Sequence, residues 1–261
     1  MMRALYTAAS GMKAQQLNLD VTSNNLANVN TSGFKSFRAE FEDLHYQTLR
    51  QPGTQVSQNV ISPEGTQIGM GTTVMGTPRF FGQGDFQLTE NPYDLAIQGD
   101  GFFRISMPDG STAYTRDGSF KIDANGALVT KQGHAVDPSI TIDQTASNVT
   151  IGADGTVSQT VAGNTTIAGQ IQLARFVNPV GLETLGGNLF RASPASGPEI
   201  VGIANSDAGF GSISQGILEQ SNVKVADEMI RMIVSMRAYE ANSKAIQTAD
   251  EMLQIANNSK R

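Results

Sequence analysis

The chain has 261 residues, a formal net charge of −6, and neither cysteine nor tryptophan. Its acidic balance and the lack of any Lys/Arg-rich run exclude a phosphate-tracking nucleic-acid surface, and the missing cysteines exclude disulfides, thiolate nucleophiles and thiolate metal sites. With 27 glycines, a chain long enough for one large domain or two small ones predicts thin sheets with many turns.

Residues 1–33 predict a helix from about Arg3 to about Val29, because Leu5, Met12, Leu19 and Leu26 recur every seven residues. That period lays a narrow apolar seam along one helix, hidden only when a second helix pairs with it. Asn30-Thr31-Ser32-Gly33 is a stop signal, with Gly33 available for a left-handed cap. Gly11 costs roughly 1 kcal/mol relative to Ala inside a helix; it marks either a tolerated weakness or the close approach of another helix. Away from the apolar repeat, Gln15, Gln16, Asn18, Ser23, Asn24, Asn25 and Asn28 are polar and uncharged, and between Arg3 and Lys35 only Lys13 and Asp20 carry charge. Such faces suit packing against other polypeptide, where a charge is costly to desolvate. The opening Met1–Tyr6 lacks the apolar stretch of a secretory signal, so any export is expected to leave this N-terminus uncut. No segment approaches the ~20 apolar residues of a membrane span.

Residues 34–76 are polar and rich in Gly, Pro, Gln and Thr, with turn signals at Pro52-Gly53 and Pro63-Glu64-Gly65. They predict an extended arm or a loose pair of strands. From 77 to 220 the period switches to two. Phe103, Ile105 and Met107 alternate with Arg104 and Ser106, Phe120 and Ile122 flank Lys121, and Ile140/Ile142, Val149/Ile151 and Ile171/Leu173 repeat the pattern. Asp109-Gly110, Asp117-Gly118, Asn125-Gly126 and Asp154-Gly155 punctuate these runs, predicting an antiparallel sandwich or barrel-like domain. Residues 124–128 and 153–157 read as two weak copies of one hairpin tip.

Residues 221–261 predict a second helix, from about Val225 to about Asn257. Val225, Met232, Tyr239, Ile246 and Leu253 recur every seven residues, with Met229 and Met236 between them. Asp227 and Glu228 in its first turn complement the helix dipole, and Asp227–Arg231 and Glu240–Lys244 are favourable i,i+4 pairs. The fold class is therefore α+β: terminal helices pairing as a coiled coil around a central antiparallel β-rich domain.

Nothing in the chain predicts a catalytic, metal or cofactor site. His45 and His134 are the only histidines and lie far apart in sequence. Asp123-Ala124-Asn125-Gly126 lacks the acidic anchor of a calcium loop. Gly99-Asp100-Gly101-Phe102-Phe103 enters a strand, not a helix N-terminus, so it is a tight turn and no phosphate cradle. The layout predicts an assembly protein and no enzyme.

Asn24-Asn25-Leu26-Ala27-Asn28-Val29-Asn30-Thr31-Ser32-Gly33-Phe34-Lys35 resembles the signature of bacterial flagellar rod and hook proteins. Gly99–Phe103, Tyr114–Phe120, Gln215–Val223 and Arg237–Lys244 are similar to later stations of that family, and the likeness runs the length of the chain. Phe41–Gly53 is similar to a segment particular to the distal-rod members; a hook protein would carry a larger middle domain. Lys224 stands where relatives often have a small polar residue. The resemblance implies terminal helices forming the inner tube of a hollow axial polymer that transmits torque from motor to hook and conducts exported subunits. It implies, too, that Tyr46, Gln47, Thr48, Arg50, Gln51, Pro52 and Gly53 keep the shaft stiff. Expected partners are copies of the chain itself, proximal rod and hook proteins, the P- and L-ring proteins and the type III export apparatus. The expected location is the basal body in the periplasmic space. Alternatives are a hook or proximal-rod protein, or a periplasmic peptidoglycan-acting enzyme.

Overall fold

The computed structural model describes residues 2–53, 55–57, 60–61, 64–205 and 209–258. The chain divides into two compact units. Met1–Leu26, Phe37–Pro78 and Lys224–Arg261 form a helix unit; Ala27–Ser36 and Arg79–Val223 form a β unit.

In the helix unit, α1 spans Met2–Ala27 and α2 spans Val225–Asn258. Their ends fall within a turn of the boundaries that periodicity and the Gly33 stop predict, the usual uncertainty of a helix terminus. Among the described residues, no helix is long and apolar enough to cross a membrane. The arm between them is an antiparallel ribbon. Glu40–Asp43 pairs with Thr72–Gly76, Tyr46–Arg50 with Thr66–Gly69, and Gln55–Ser57 with Val60–Ile61. Register shifts after Glu40, Thr48 and Gln55 break the ribbon into short segments, as irregular pairing does where no buried face fixes it. Every residue of Glu40–Asp43 and Tyr46–Arg50 is exposed.

The β unit is built on a six-stranded antiparallel sheet. Its strands, in spatial order, are Glu183–Gly186, Leu189–Arg191, Thr112–Thr115, Phe102–Ser106, Gln172–Arg175 and Ile200–Ile203. The three-stranded sheet Asn148–Ile151, Thr156–Val161 and Asn164–Gln170 is separate. Phe103 and Ile105 point into the main core with Leu95, Ile97, Phe120, Ile140, Ile171 and Leu173, all almost wholly buried. The neighbouring Phe102 points the other way, into a second cluster with Tyr114, Phe176, Leu182 and Phe190. There the rings meet edge to face, with centroids 4.8 Å apart for Tyr114–Phe176 and 6.0 Å for Phe102–Phe190, the arrangement their quadrupoles favour. The middle of the sheet is thus covered on both faces. Ile140 and Ile142 are buried as their alternation predicts, but they lie outside the named strands.

Gly110, Gly126 and Gly155 all have φ +81°, the left-handed turn conformation that Asx-Gly predicts. Asp117-Gly118 differs: the Gly118 carbonyl accepts from the Leu95 amide at 3.0 Å, and an added Cβ would collide with the Leu95 carbonyl. That glycine serves a close backbone approach. The two hairpin tips do match. The Gly126 amide donates to the Asp123 carbonyl at 2.9 Å, and the Gly126 carbonyl accepts from Ile142 at 2.8 Å. Gly155 repeats both bonds with Gly152 and Ile171, at 2.9 and 2.8 Å.

Candidate assembly interface

The terminal helices pair antiparallel through residues that the apolar repeats do not mark. The Asn25 Nδ2 donates to Glu228 Oε2 at 3.3 Å, and the Asn18 Nδ2 to Ser235 Oγ at 2.7 Å. A Cβ on Gly11 would lie 2.9 Å from the Asn242 amide nitrogen, so Gly11 is where a second helix comes close. Each rung steps seven residues along α1 and seven back along α2. Asn25, Thr22, Glu228 and Ser235 are buried, and the Thr22 hydroxyl donates to the Asn18 carbonyl at 2.8 Å. Arg231 meets Glu228 at 3.2 Å, where the sequence pairs it with Asp227.

The apolar residues stand elsewhere. Leu5, Met12, Leu19 and Leu26 on α1, with Met232, Ile246 and Leu253 on α2, are half-buried. Tyr239 is 38% exposed and Val225 43%. The positions between the apolar repeats of α2 that turn toward the seam are Glu228, Ser235, Asn242 and Ala249. Met229 and Met236, one residue further on, face outward with Ile230, Ile233 and Val234, each about half exposed or more. No described apolar residue larger than alanine is fully buried in the helix unit; Ala8, Ala14 and Ala249 are. The helix pair is polar and small inside and apolar outside.

The motif from Asn24 to Lys35, which closes α1 and continues beyond it, is divided in its tasks. Asn24, Ala27 and Asn30 lie at the surface. Asn25 acts as a surrogate strand: its Nδ2 donates to the Phe37 carbonyl at 2.8 Å and its Oδ1 accepts from the Phe37 amide at 2.9 Å. Asn28 turns the chain, its carbonyl accepting from the Thr31 amide at 3.1 Å and its Oδ1 from the Thr31 hydroxyl at 3.2 Å. Gly33 has φ +67°, and a Cβ there would sit 2.5 Å from the Asp117 amide nitrogen.

Phe34 and Lys35 then enter the β unit. The Lys35 Nζ, fully buried, donates to Glu219 Oε1 at 2.6 Å and to the Gly82 carbonyl at 2.8 Å. Glu219 Oε2 meets Arg116 Nη1 at 3.4 Å, and its Oε1 also accepts from the Gly84 amide at 2.9 Å. Arg116 Nη2 donates to the Gly99 carbonyl at 2.7 Å. Burial outweighs the attraction of Glu219 and holds the Lys35 ammonium below its usual range; it lowers Arg116 likewise. Asn222 completes the knot, donating to the Phe80 and Gly82 carbonyls and accepting from the Ser36 amide at 2.8 Å. Sequence reasoning singles out Lys35 but not its partners Glu219, Arg116 and Asn222. Arg116, Glu219 and Asn222 all stand inside the quoted motif stretches, but nothing in those stretches marks them as partners of a buried lysine.

Tyr46, Gln47, Thr48 and Arg50 lie on the exposed ribbon, and Gln51-Pro52-Gly53 follows it, with Gly53 at φ +83°. The Tyr46 phenol is hydrogen-bonded to Asp43, which pushes it up from its ordinary value. Arg50 Nη2 donates to the Glu64 carbonyl at 3.3 Å. His45 is exposed and His134 half-buried.

Three family descriptions match the chain. They are the flagella basal body rod protein at residues 5–35, the flagellar hook protein FlgE/F/G D1 domain at 96–159, and the flagellar basal body rod FlgEFG protein C-terminal at 214–259. The flagellar basal-body rod protein FlgG of Borreliella burgdorferi is 55% identical over 100% of both chains. That of Buchnera aphidicola from Schizaphis graminum is 48% identical over 97% of this chain and 98% of its own. The flagellar hook protein FlgE of Helicobacter mustelae is 47% identical, but over only 52% of this chain and 30% of the hook protein.

Proposed function

This chain belongs to the FlgG family of flagellar basal-body rod proteins, structural subunits of the rod, and from that premise we propose that it builds the distal part of the drive shaft. Copies add head to tail with a rotation that does not close, which generates a helical polymer. The terminal helices form the wall of its bore, and the β unit lies outside them. The subunit performs no catalysis; it carries torque from motor to hook and leaves a passage for exported subunits. It reaches the growing tip in the periplasm through the type III export apparatus without signal cleavage. There it joins proximal rod below, hook above, and the P- and L-ring proteins around it. The segment from Tyr46 to Gly53 stiffens the shaft by bridging neighbours.

One observation carries this reading: α2 presents Met229, Ile230, Ile233, Val234 and Met236 outward, although they are its most apolar stretch. A stripe of that kind is covered in a working assembly or it is a liability. Methionines there suit packing against several slightly different neighbours. On α1, Leu5, Met12, Leu19 and Leu26 serve the same wall, with Val225, Met232, Tyr239, Ile246 and Leu253 on α2. Ile233→Asp tests the outward face. The expected result is a stable subunit, no distal rod in isolated basal bodies, and no motility. Normal rods and swimming would refute the proposal. Release of muropeptides from purified sacculi, lost on changing one carboxylate, would replace it with a wall-cleaving enzyme.

A further inference from the structure

The apolar repeats of the two helices share one weakness: they look the same after a slip of one heptad. Leu5, Met12, Leu19 and Leu26 follow one another at intervals of seven, as do Met232, Tyr239, Ile246 and Leu253. Moving α1 by seven residues against α2 brings like onto like, so apolar burial alone does not choose among the alignments. The polar rungs do differ from one another. In the observed alignment Asn25 faces Glu228, Asn18 faces Ser235 and Gly11 makes room for Asn242. A slip one way carries Glu228 past Ala27, where α1 ends, and strips it of the Asn25 amide. A slip the other way sets Asn242 against Ala4 and moves Asn25 beyond the start of α2 at Val225. Each breaks the cross-helix pairing of a buried polar group, Glu228 keeping only Arg231 or Asn25 only Phe37, and a buried polar group that loses a partner is costly. Single polar residues at seam positions fix coiled-coil register by this route.

We infer that the three rungs Gly11·Asn242, Asn18·Ser235 and Asn25·Glu228 are the register lock of the terminal helix pair. The outward apolar faces supply assembly energy, and the inward rungs decide which turn of one helix meets which turn of the other. A shaft wall repeated over many subunits needs that choice made identically in each, because a slipped pair would shift every outward apolar residue by about 10 Å along the bore.

The chain has no cysteine, so introduced pairs report alignment without background. Gly11→Cys with Asn242→Cys reads the observed register. Gly11→Cys with Ala249→Cys, carrying Asn242→Ala to relieve the contact at Gly11, reads a slip of one heptad. Oxidised in isolated basal bodies, the first pair is expected to cross-link roughly tenfold more than the second, since a disulfide does not bridge an extra two turns of helix. Adding Asn18→Leu with Ser235→Leu is expected to bring the two yields to within about threefold. The swapped rung Asn18→Ser with Ser235→Asn is expected to restore the original preference. An unchanged preference in the leucine pair would overturn the inference. So would loss of both cross-links there with the swapped rung normal, because the rung would then hold the helices together without selecting their alignment. Presence of rods and motility report the proposed function separately, so the two ideas fail independently.

Discussion

The two units of this protein solve the burial problem in opposite ways. The β unit hides phenylalanines, leucines and isoleucines almost completely and satisfies a buried Lys–Glu–Arg knot with backbone carbonyls and amides. The helix unit fully buries, among its described apolar residues, only three alanines, and displays Met229, Ile230, Ile233, Val234 and Met236. At roughly 25 cal/mol per Å² of apolar surface, a core of large side chains stabilises a domain alone and a seam of alanines does not. One unit is folded by its own residues; the other, on the proposed reading, is a half-built interface that assembly completes.

The largest break in that contrast comes from charge on the helices. Leu19→Asp or Ile246→Asp is expected to abolish rod assembly while the β unit keeps its native near-ultraviolet circular dichroism and melting temperature. Loss of β-unit melting along with assembly would show that the helices are structural for the whole chain. A related expectation concerns the unmodified free subunit. Its helical circular dichroism should fall well short of what α1 and α2 require and rise on polymerisation, since helices without tertiary cover are marginal in water. A fully helical monomer would erase the distinction between the units.

Next in size is the knot. Glu219→Leu leaves Lys35 and Arg116 buried beside each other without the carboxylate that joins them, which should cost the β unit about 3–5 kcal/mol in denaturant unfolding. An effect below about 1 kcal/mol would mean that the side chains find water on relaxing.

The smallest effect is acidic and confined to turns of the β unit. The Ser111 hydroxyl lowers Asp109, the Thr145 amide lowers Asp143 and the Thr156 hydroxyl lowers Asp154 below the ordinary carboxylate value of 3.8. A carboxylate depressed in the fold contributes stability that is complete above 3.8 and lost as pH falls through its folded value. Changing all three to Asn should therefore flatten the loss of stability below that pH and leave the neutral range nearly untouched, as followed by acid titration of the β-unit melting temperature.

Most of the architecture was legible because its signals are local. Asx-Gly pairs announce turns, alternation announces strands, and Asn30–Gly33 announces the end of a helix. What was illegible depended on distance or on an ambiguous residue type. A seven-residue apolar repeat shows that a face is covered without showing by what, so the helix seam read from it falls on the flank of the observed one. The uncharged Asn18 and Asn25 read as a face meant for other polypeptide without showing which residues meet it, and Ser235 gives no signal until a second helix is placed against it. Lys35 is tolerated as a buried cation because Glu219, far along the sequence, supplies the opposite charge to both it and Arg116. Asp117-Gly118 has the composition of a turn and the job of a close approach, a difference that rests on where Leu95 lies.

The placement of Glu219 and Asn222 has a temporal consequence. Lys35, Ser36, Phe80 and Gly82 stay unsealed until those two residues arrive from near the far end of the β unit. A chain delivered amino end first, through an opening too narrow for folded protein, cannot close its β unit while the final fifth of the polypeptide is still in transit. Closure across so long a stretch is intrinsically slow, so on the proposed export route the fold would stay pliable during passage and harden only at the destination.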